Sequence, residues 1–285
     1  AALEESIAEK AVAIAAARQG ASVGYLTRIG RDTFGESFME LWEKEGLDTC
    51  GVEVCADGHT GIYFVTHGPD GHRFSYYRAG SAASRMTPDF LPRDMIQNAR
   101  ILHVSGISMA ISDNAADTVF AAIALAKEAG VNVSVDPNLR LKLWPLDRAR
   151  AITHGAMAEA DIALPGLDDS ILLTGKSDPD AIVNFYLDLG AGIVALTLGA
   201  EGSLIATATE RRRFSGHAID AKDATGAGDT FDGSFLAEYL RTGDPFAAGR
   251  HANMAAALST QGFGAVNPMP RQPEVDAALA RAASS

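Results

Sequence analysis

The sequence predicts an α/β protein: a doubly wound, mostly parallel sheet with helices on both faces and a small antiparallel β segment inserted into it. Three observations carry this expectation. From residue 101 onward short apolar strands alternate with helical stretches, the rhythm of right-handed βαβ units. Between about residues 50 and 80 that rhythm breaks into short strands, two of them joined by the strong turn signal Gly68-Pro69-Asp70-Gly71. The chain has 285 residues, 47% hydrophobic and 21% charged, which suffices for a large buried core.

Residues 3–18 read as an alanine-rich helix closed by Gly20, followed by a strand at 22–27. In 33–44, Phe34, Phe38, Leu41 and Trp42 fall at helical spacing, and Gly46 ends the helix. Residues 52–54, 60–66 and 72–78 read as the strands of the insert. The alternation then gives strand 101–105, helix 114–129, strand 131–136, helix 146–158, strand 161–164, helix 179–189 and strand 193–198. Residues 203–207 and 210–214 suggest an edge hairpin, and the final third is helical. The expected organisation is a core of residues 1–48 and 85–285 with a lid of residues 49–84. In an open α/β sheet ligands gather at the carboxyl ends of the strands. That singles out Asp136 onward, Leu198-Gly199-Ala200 and the loop before Thr230.

Composition removes several function classes. A net charge of −12 argues against a sequence-independent grip on nucleic acid. No apolar run reaches the roughly 20 residues that span a bilayer, and residues 1–21 have alternating charge with no apolar stretch of a secretory signal. The two cysteines, Cys50 and Cys55, lack the four ligands of a zinc site and fall short of a disulfide framework. They read as free thiols of a cytoplasmic protein.

The strongest chemical signal is Asp223-Ala224-Thr225-Gly226-Ala227-Gly228-Asp229-Thr230-Phe231. Phe231, Phe235, Leu236, Tyr239 and Leu240 then share one helical face, so Gly226, Ala227 and Gly228 open a helix. Small residues there let backbone N–H groups approach an anion, and the helix dipole adds partial positive charge. A carboxylate in such a place repels the anion unless it has a task. The task that fits is accepting a proton from a hydroxyl that attacks phosphorus, while the N–H groups hold the transferred phosphoryl. The plainer alternative is a helix cap. Asp136-Pro137-Asn138-Leu139-Arg140 ends another strand, with Arg140 able to fork onto a phosphate or carboxylate or simply to lie in solvent. Thr197-Leu198-Gly199-Ala200-Glu201-Gly202 ends a third, suited to close approach by a nucleotide or to an ordinary tight turn. Neither a G-x4-G-K-[ST] loop nor an early G-x-G-x-x-G is present. This disfavours Walker-type ATPases and nicotinamide-dependent oxidoreductases.

Taken together these segments resemble the ribokinase-like carbohydrate kinases. The 223–231 stretch resembles that family's second signature, and the 136–140 and 198–202 loops follow in its order. Arg28-Ile29-Gly30-x-Asp32-x-Phe34-Gly35 resembles its early segment, and the inserted strands resemble its lid. Within the family the chain is most similar to 2-keto-3-deoxygluconate kinases, on Gly61-Ile62-Tyr63, Phe74-Ser75-Tyr76-Tyr77-Arg78 with Ser81-Ala82-Ala83-Ser84, and Ser105-Gly106-Ile107-Ser108. The resemblance implies ATP with Mg2+, the metal held largely by phosphate and water. It implies Asp229 as catalytic base and Gly226, Ala227 and Gly228 as anion hole. Tyr63, Tyr76, Tyr77, Arg78 and Arg140 would contact the sugar acid, although neighbours on a strand face opposite ways, so one of Tyr76 and Tyr77 is expected to point outward. Asn138 and Arg140 would meet the phosphates. Thr197, Gly199, Ala200, Gly202, Asn253, Gly262 and Gly264 would line the nucleotide site.

The opening departs from the family. Ser6-Ile7-Ala8-Glu9-Lys10 stands where a Gly-Gly-x-x-x-Asn pattern is expected, so a core strand and several substrate contacts are not recognisable. Without them the sheet would be a strand short and substrate affinity poor. A fructokinase or another sugar kinase of the family is the nearest rival, since the 136–140 loop followed by Leu143-Trp144 occurs there too. A non-catalytic nucleotide- or sugar-binding protein is the rival of another class. The exposed edges of the lid predict a homo-oligomer built through it.

Overall fold

A computed structural model of the chain describes residues 8–68 and 71–283. Residues 3–7 of the first predicted helix, and Pro69 and Asp70 of the predicted turn, lie outside that range. The first third comprises α1 (Ala8–Arg18), β1 (Thr27–Gly30), α2 (Thr33–Lys44), β2 (Val52–Cys55), β3 (Ile62–Gly68) and β4 (Gly71–Tyr77). Then come α3 (Arg93–Gln97), β5 (Ile101–Ser105), α4 (Gly106–Ala110), α5 (Asp113–Glu128), β6 (Asn132–Asp136), α6 (Leu146–Ala158) and β7 (Ile162–Ala163). The last part holds α7 (Leu167–Thr174), α8 (Pro179–Leu189), β8 (Ile193–Thr197), β9 (Gly202–Thr207), β10 (Arg211–Ser215), α9 (Ala227–Thr242), α10 (Pro245–Ser259) and α11 (Gln272–Ala283).

The main sheet has six strands in the order β10-β9-β8-β7-β6-β5. Strands β5 to β8 are parallel, and the β9–β10 hairpin closes one edge antiparallel. Because side chains alternate along a strand, each strand feeds two cores. Val194 and Leu196 join Val133 and Val135 against α5, α6 and α8, whereas Ile193 and Ala195 join Phe231, Phe235 and Ala252 of α9 and α10. Helices therefore cover both faces, as expected. Helix α1 lies on α9 at Gly233, where a Cβ would sit 2.3 Å from the Val12 carbonyl oxygen. Arg18 fastens its end, reaching Glu45 at 2.6 and 3.0 Å and the carbonyls of Val266 and Met269.

Two expectations for the first third need correction. The first strand runs Thr27–Gly30 rather than 22–27; upstream, only a bridge joins Gly24 to Asp48. The 52–54 strand does not belong to the antiparallel insert. It pairs in parallel with β1, Thr27 opposite Val52 and Gly30 opposite Cys55, because α2 lies between them as a crossover and a crossover makes its strands parallel. The antiparallel insert is thus β3 and β4 alone, with Tyr63 opposite Tyr76 and Ile62 opposite Tyr77. Its base is pinned by Asp32, which caps α2 through Gly35 N–H at 2.9 Å. The same carboxylate accepts the Thr60 hydroxyl and N–H, each at 2.7 Å. Both cysteines are free. No helix among the described residues is long and apolar enough to cross a membrane.

Candidate active site

Helix α9 starts without a side-chain cap. Gly226 occupies the cap position at φ +77°, a left-handed conformation that suits glycine, and a Cβ there would press within 2.9 Å of Ala265. Its carbonyl accepts both the Thr230 N–H and hydroxyl at 2.8 Å. Ala227 is half-buried and its N–H turns back to the Ala224 carbonyl. Gly228 faces open space, with nothing within 4 Å of a Cβ position. The loop leading in is held by Asp223, which accepts the Thr225 N–H and hydroxyl on one oxygen and the Gly264 N–H on the other, at 2.9, 2.7 and 2.9 Å. So Gly264 and Gly262, on the loop after α10, are brought against the α9 entry. Asp229 is half-buried on the first turn, and its charge acts on the Tyr63 phenol of β3.

Strand β6 delivers the second group. Asp136 ends the strand and accepts the Asn138 N–H at 2.9 Å, which turns the chain so tightly that Asn138 takes φ +33°. Leu139 N–H is held by Asp169 of α7 at 2.8 Å. Arg140, half-buried, donates to the Leu139 carbonyl at 2.9 Å, and its positive charge acts on Asp136, Asp169 and Tyr63. A fourth carboxyl, Asp232, lies one turn along α9 from Asp229 and interacts electrostatically with Asp136 and Asp229. Burial first, then the charge of Asp169, pushes Asp136 up to about 7. Burial, then Asp136 and Asp229, holds Asp232 well above the carboxylate range, and burial raises Asp169.

The β3–β4 hairpin brings aromatic and cationic side chains within electrostatic reach of this group. Tyr63 is 8% exposed, its ring 5.5 Å from that of Tyr76 and 5.6 Å from the Arg78 guanidinium. Burial first, with Asp229 second, pushes the Tyr63 phenol far up. Tyr63, Tyr76, Arg78, Arg140 and Asp229 therefore form one neighbourhood. Tyr77 does not join it. It is 62% exposed and packs on His59, because the strand's alternation sends it to the opposite face from Tyr76. The expectation that Tyr77 contacts substrate is corrected on that ground.

The residues expected at the nucleotide lie along the carboxyl edge of the sheet. Thr197 ends β8 beside Gly166, and Gly199 at φ +60° and Ala200 are exposed in the turn that follows. Gly202 has a packing reason of its own: a Cβ would meet the Phe214 carbonyl oxygen at 2.0 Å, so glycine is needed to bring β9 onto β10. Asn253 donates to the Ser215 carbonyl at 2.8 Å and lines a cavity of about 250 Å³ with Phe214, Ser215, His217, Arg250 and Leu279. Among the described residues no three or more His, Cys, Asp or Glu side chains are arranged to hold a metal ion.

Sequence reasoning missed Asp169 and Asp232 and treated Asp136 only as the start of a loop. Asp168-Asp169 lie on the first turn of α7, the element that follows β7, and inspecting every strand end rather than three of them would have found the pair. Asp232 gave no signal, being one more polar residue on a helix whose apolar face was already assigned.

Comparison with known proteins bears on this arrangement. Residues 8–272 match the model of the pfkB family of carbohydrate kinases. The 2-dehydro-3-deoxygluconokinase of Bacillus subtilis is 34% identical over 92% of this chain and 82% of its own length, and that of Thermoproteus tenax is 35% identical over 92% and 81%. A crystal structure of fructokinase from Vibrio cholerae, in its fructose, ADP and calcium ion bound form, superposes with a TM-score of 0.86 at 29% identity, covering 95% of this chain and 90% of that one.

Proposed function

The chain belongs to the pfkB family of carbohydrate kinases, and from that premise we propose that it transfers the γ-phosphoryl group of ATP to the primary hydroxyl of 2-keto-3-deoxygluconate, giving the 6-phosphate and ADP. The observation that carries the proposal is the setting of Asp229. It sits half-buried on the first turn of α9, beside Gly228, which lies in open space, and its charge reaches the Tyr63 phenol. There its carboxylate takes the hydroxyl proton as the sugar oxygen attacks phosphorus, and the first-turn amides meet the charge on the phosphoryl oxygens. Arg140 and Asn138 serve the phosphates; Thr197, Gly199, Ala200, Asn253, Gly262 and Gly264 line the way to the base. Mg2+ would neutralise phosphate charge. Its ligands would come chiefly from phosphate and water.

Two guanidiniums, Arg78 and Arg140, bear on Tyr63, and a forked partner for a carboxylate favours a sugar acid over a neutral sugar. Fructose is the second reading, favoured by the likeness to the Vibrio cholerae fructokinase. Residues 49–84 act in this reading as the lid. Its outer surface exposes Phe64 and Tyr77, the face through which two copies would pair. A coupled ADP assay on a panel of sugars and sugar acids tests the substrate: turnover on fructose but not on the keto acid rejects the first choice. Asp229→Asn is expected to lower kcat by at least ~10³-fold with the thermal midpoint little changed. Near-wild-type turnover removes Asp229 from its role.

A further inference from the structure

Strand β1 and the foot of the β3–β4 hairpin enclose a second, smaller cavity of about 30 Å³, lined by Thr27, Arg28, Thr60, Arg78 and Ser81. That is roughly twice what one water needs, so two oxygen atoms fit and a sugar ring does not. Two guanidiniums meet at this cavity. Arg28 reaches Glu53 at 2.8 Å and the Arg85 carbonyl at 3.2 Å through its terminal nitrogens. Arg78 lies over the Tyr63 ring. In both, Nε is buried and has no hydrogen-bond partner among the described residues. A charged donor shut off from water and without an acceptor is costly, and two of them on one small cavity call for an acceptor.

We propose that this cavity receives the carboxylate of the sugar acid, one oxygen on the Nε–H of Arg28 and the other on that of Arg78, which makes Arg28 a specificity-determining residue. The proposal rests on the reading of the substrate as 2-keto-3-deoxygluconate. An ionised carboxylate has acceptors only, so it answers both donors and part of their charge. The hydroxyl of a neutral sugar answers the charge of neither. The cavity also lies on the right side of the site. The charge of Asp229 acts on Tyr63, the Arg78 guanidinium stands 5.6 Å from the Tyr63 ring, and Arg78 lines the cavity. In the acid, the primary hydroxyl and the carboxylate are opposite ends of one six-carbon chain. With the hydroxyl at Asp229 and the chain along Tyr63, the carboxylate arrives at Arg78 and Arg28.

Calorimetry on the full chain tests this, with 2-keto-3-deoxygluconate, fructose and ATP as separate probes. Arg28→Lys keeps a cation for Glu53 and loses the Nε–H. It should weaken binding of the keto acid ~10- to 100-fold and leave that of fructose and ATP within about twofold. In turnover the loss should fall on KM for the acid, with kcat within about threefold of wild type. Glu53→Gln breaks the same ion pair but leaves the Arg28 Nε–H in place, so it should bind the acid as wild type does. Thermal unfolding checks that each variant is folded. Keto-acid binding by Arg28→Lys equal to that of wild type gives the cavity to water alone and overturns the proposal. A parallel loss for all three probes, or the same loss in Glu53→Gln, makes Arg28 structural and overturns it too. The two readings fail separately. An acid that binds through Arg28 without being phosphorylated removes the reaction and keeps the site, whereas an acid phosphorylated equally well by Arg28→Lys keeps the reaction and removes the site. A wild type that binds no keto acid overturns both.

Discussion

Gly106 opens α4 directly after β5, and its backbone lies against the Asp136–Arg140 loop. A Cβ built there would sit 1.8 Å from the Pro137 carbonyl oxygen and 2.8 Å from its carbon. Real Cβ contacts do not fall below 3.0 Å, so Gly106→Ala must drive the two backbones apart by 1.2 Å or more, the difference between 3.0 and 1.8 Å. No flexible side-chain tip can give way. The obstacle is backbone, fixed by the Asn138 N–H on Asp136 and the Leu139 N–H on Asp169. Overpacking of this size costs about 1–3 kcal/mol of stability. The more telling effect is on rate. A shift of about 1 Å in a group that positions the phosphoryl donor costs ~10²-fold in kcat. The control is Gly46→Ala, at the end of α2 with φ +76° and nothing within 4 Å of its Cβ. There the substitution costs about 1 kcal/mol through backbone strain alone and leaves the loop in place. Coupled ADP assays at saturating ATP and sugar, run beside thermal unfolding, separate the two effects. If Gly106→Ala lowers the midpoint as Gly46→Ala does and kcat is unchanged, the Asp136–Arg140 loop takes no part in catalysis.

The lid provides a paired comparison. Tyr63→Phe removes the hydroxyl on which the charge of Asp229 acts and should raise KM for the sugar about fivefold, whereas Tyr77→Ser, on the outer face, should leave KM unchanged and shift sedimentation at micromolar concentration toward monomer. Equal effects on KM, or a monomeric wild type, refute the assignment of faces or of the interface. Arg18→Met should cost about 2–3 kcal/mol, because it strands the Glu45 side chain, 4% exposed, with Arg271 as its remaining guanidinium at 3.4 Å. The pH dependence has a definite sign. Arg18 first, opposed by burial, holds Glu45 below its ordinary 4.5. The ion pair therefore stabilises above that value and its contribution is lost as pH falls through the depressed one. Denaturant titrations should show the gap between wild type and variant closing in acid, and a gap that widens there refutes the pairing.

The parallel half of the fold was legible because its signals are local. Strand 101–105 and helices 33–44, 146–158 and 179–189 coincide with the observed elements, each marked by a clean period and a terminal breaker. Strand β2 was misassigned because pairing is not local. Val52–Cys55 reads equally well in a hairpin or beside β1, and only the crossover by α2 decides. Helices α3 and α4, at five residues each, and α7, at eight, are too short for periodicity to register. At the site, residues on glycine-rich turns could be found from sequence because their chemistry departs from what a helix start or a turn needs. Asp32 lies in a segment quoted only for its family resemblance, and its part is structural: its carboxylate is occupied by Gly35 and Thr60 and holds the base of the β3–β4 hairpin to α2.

The depth of each carboxyl explains how so acidic a cluster can face a polyanion. A base must be charged to take a proton, yet every extra negative charge raises the cost of bringing phosphate near. The fold meets both demands by depth. Asp136 and Asp232 are buried outright and Asp169 lies half-buried behind the strand ends, where loss of water favours their neutral forms. Asp229 stands at the helix tip, and its charge reaches the Tyr63 phenol on which Arg140 and Arg78 also bear. The effective charge of the site is thus set less by how many aspartates it holds than by which of them water can reach. In the proposed reaction the same logic would give buried Tyr63 a role beyond contact, since excluding water there would strengthen each remaining interaction between Asp229, the guanidiniums and the phosphate.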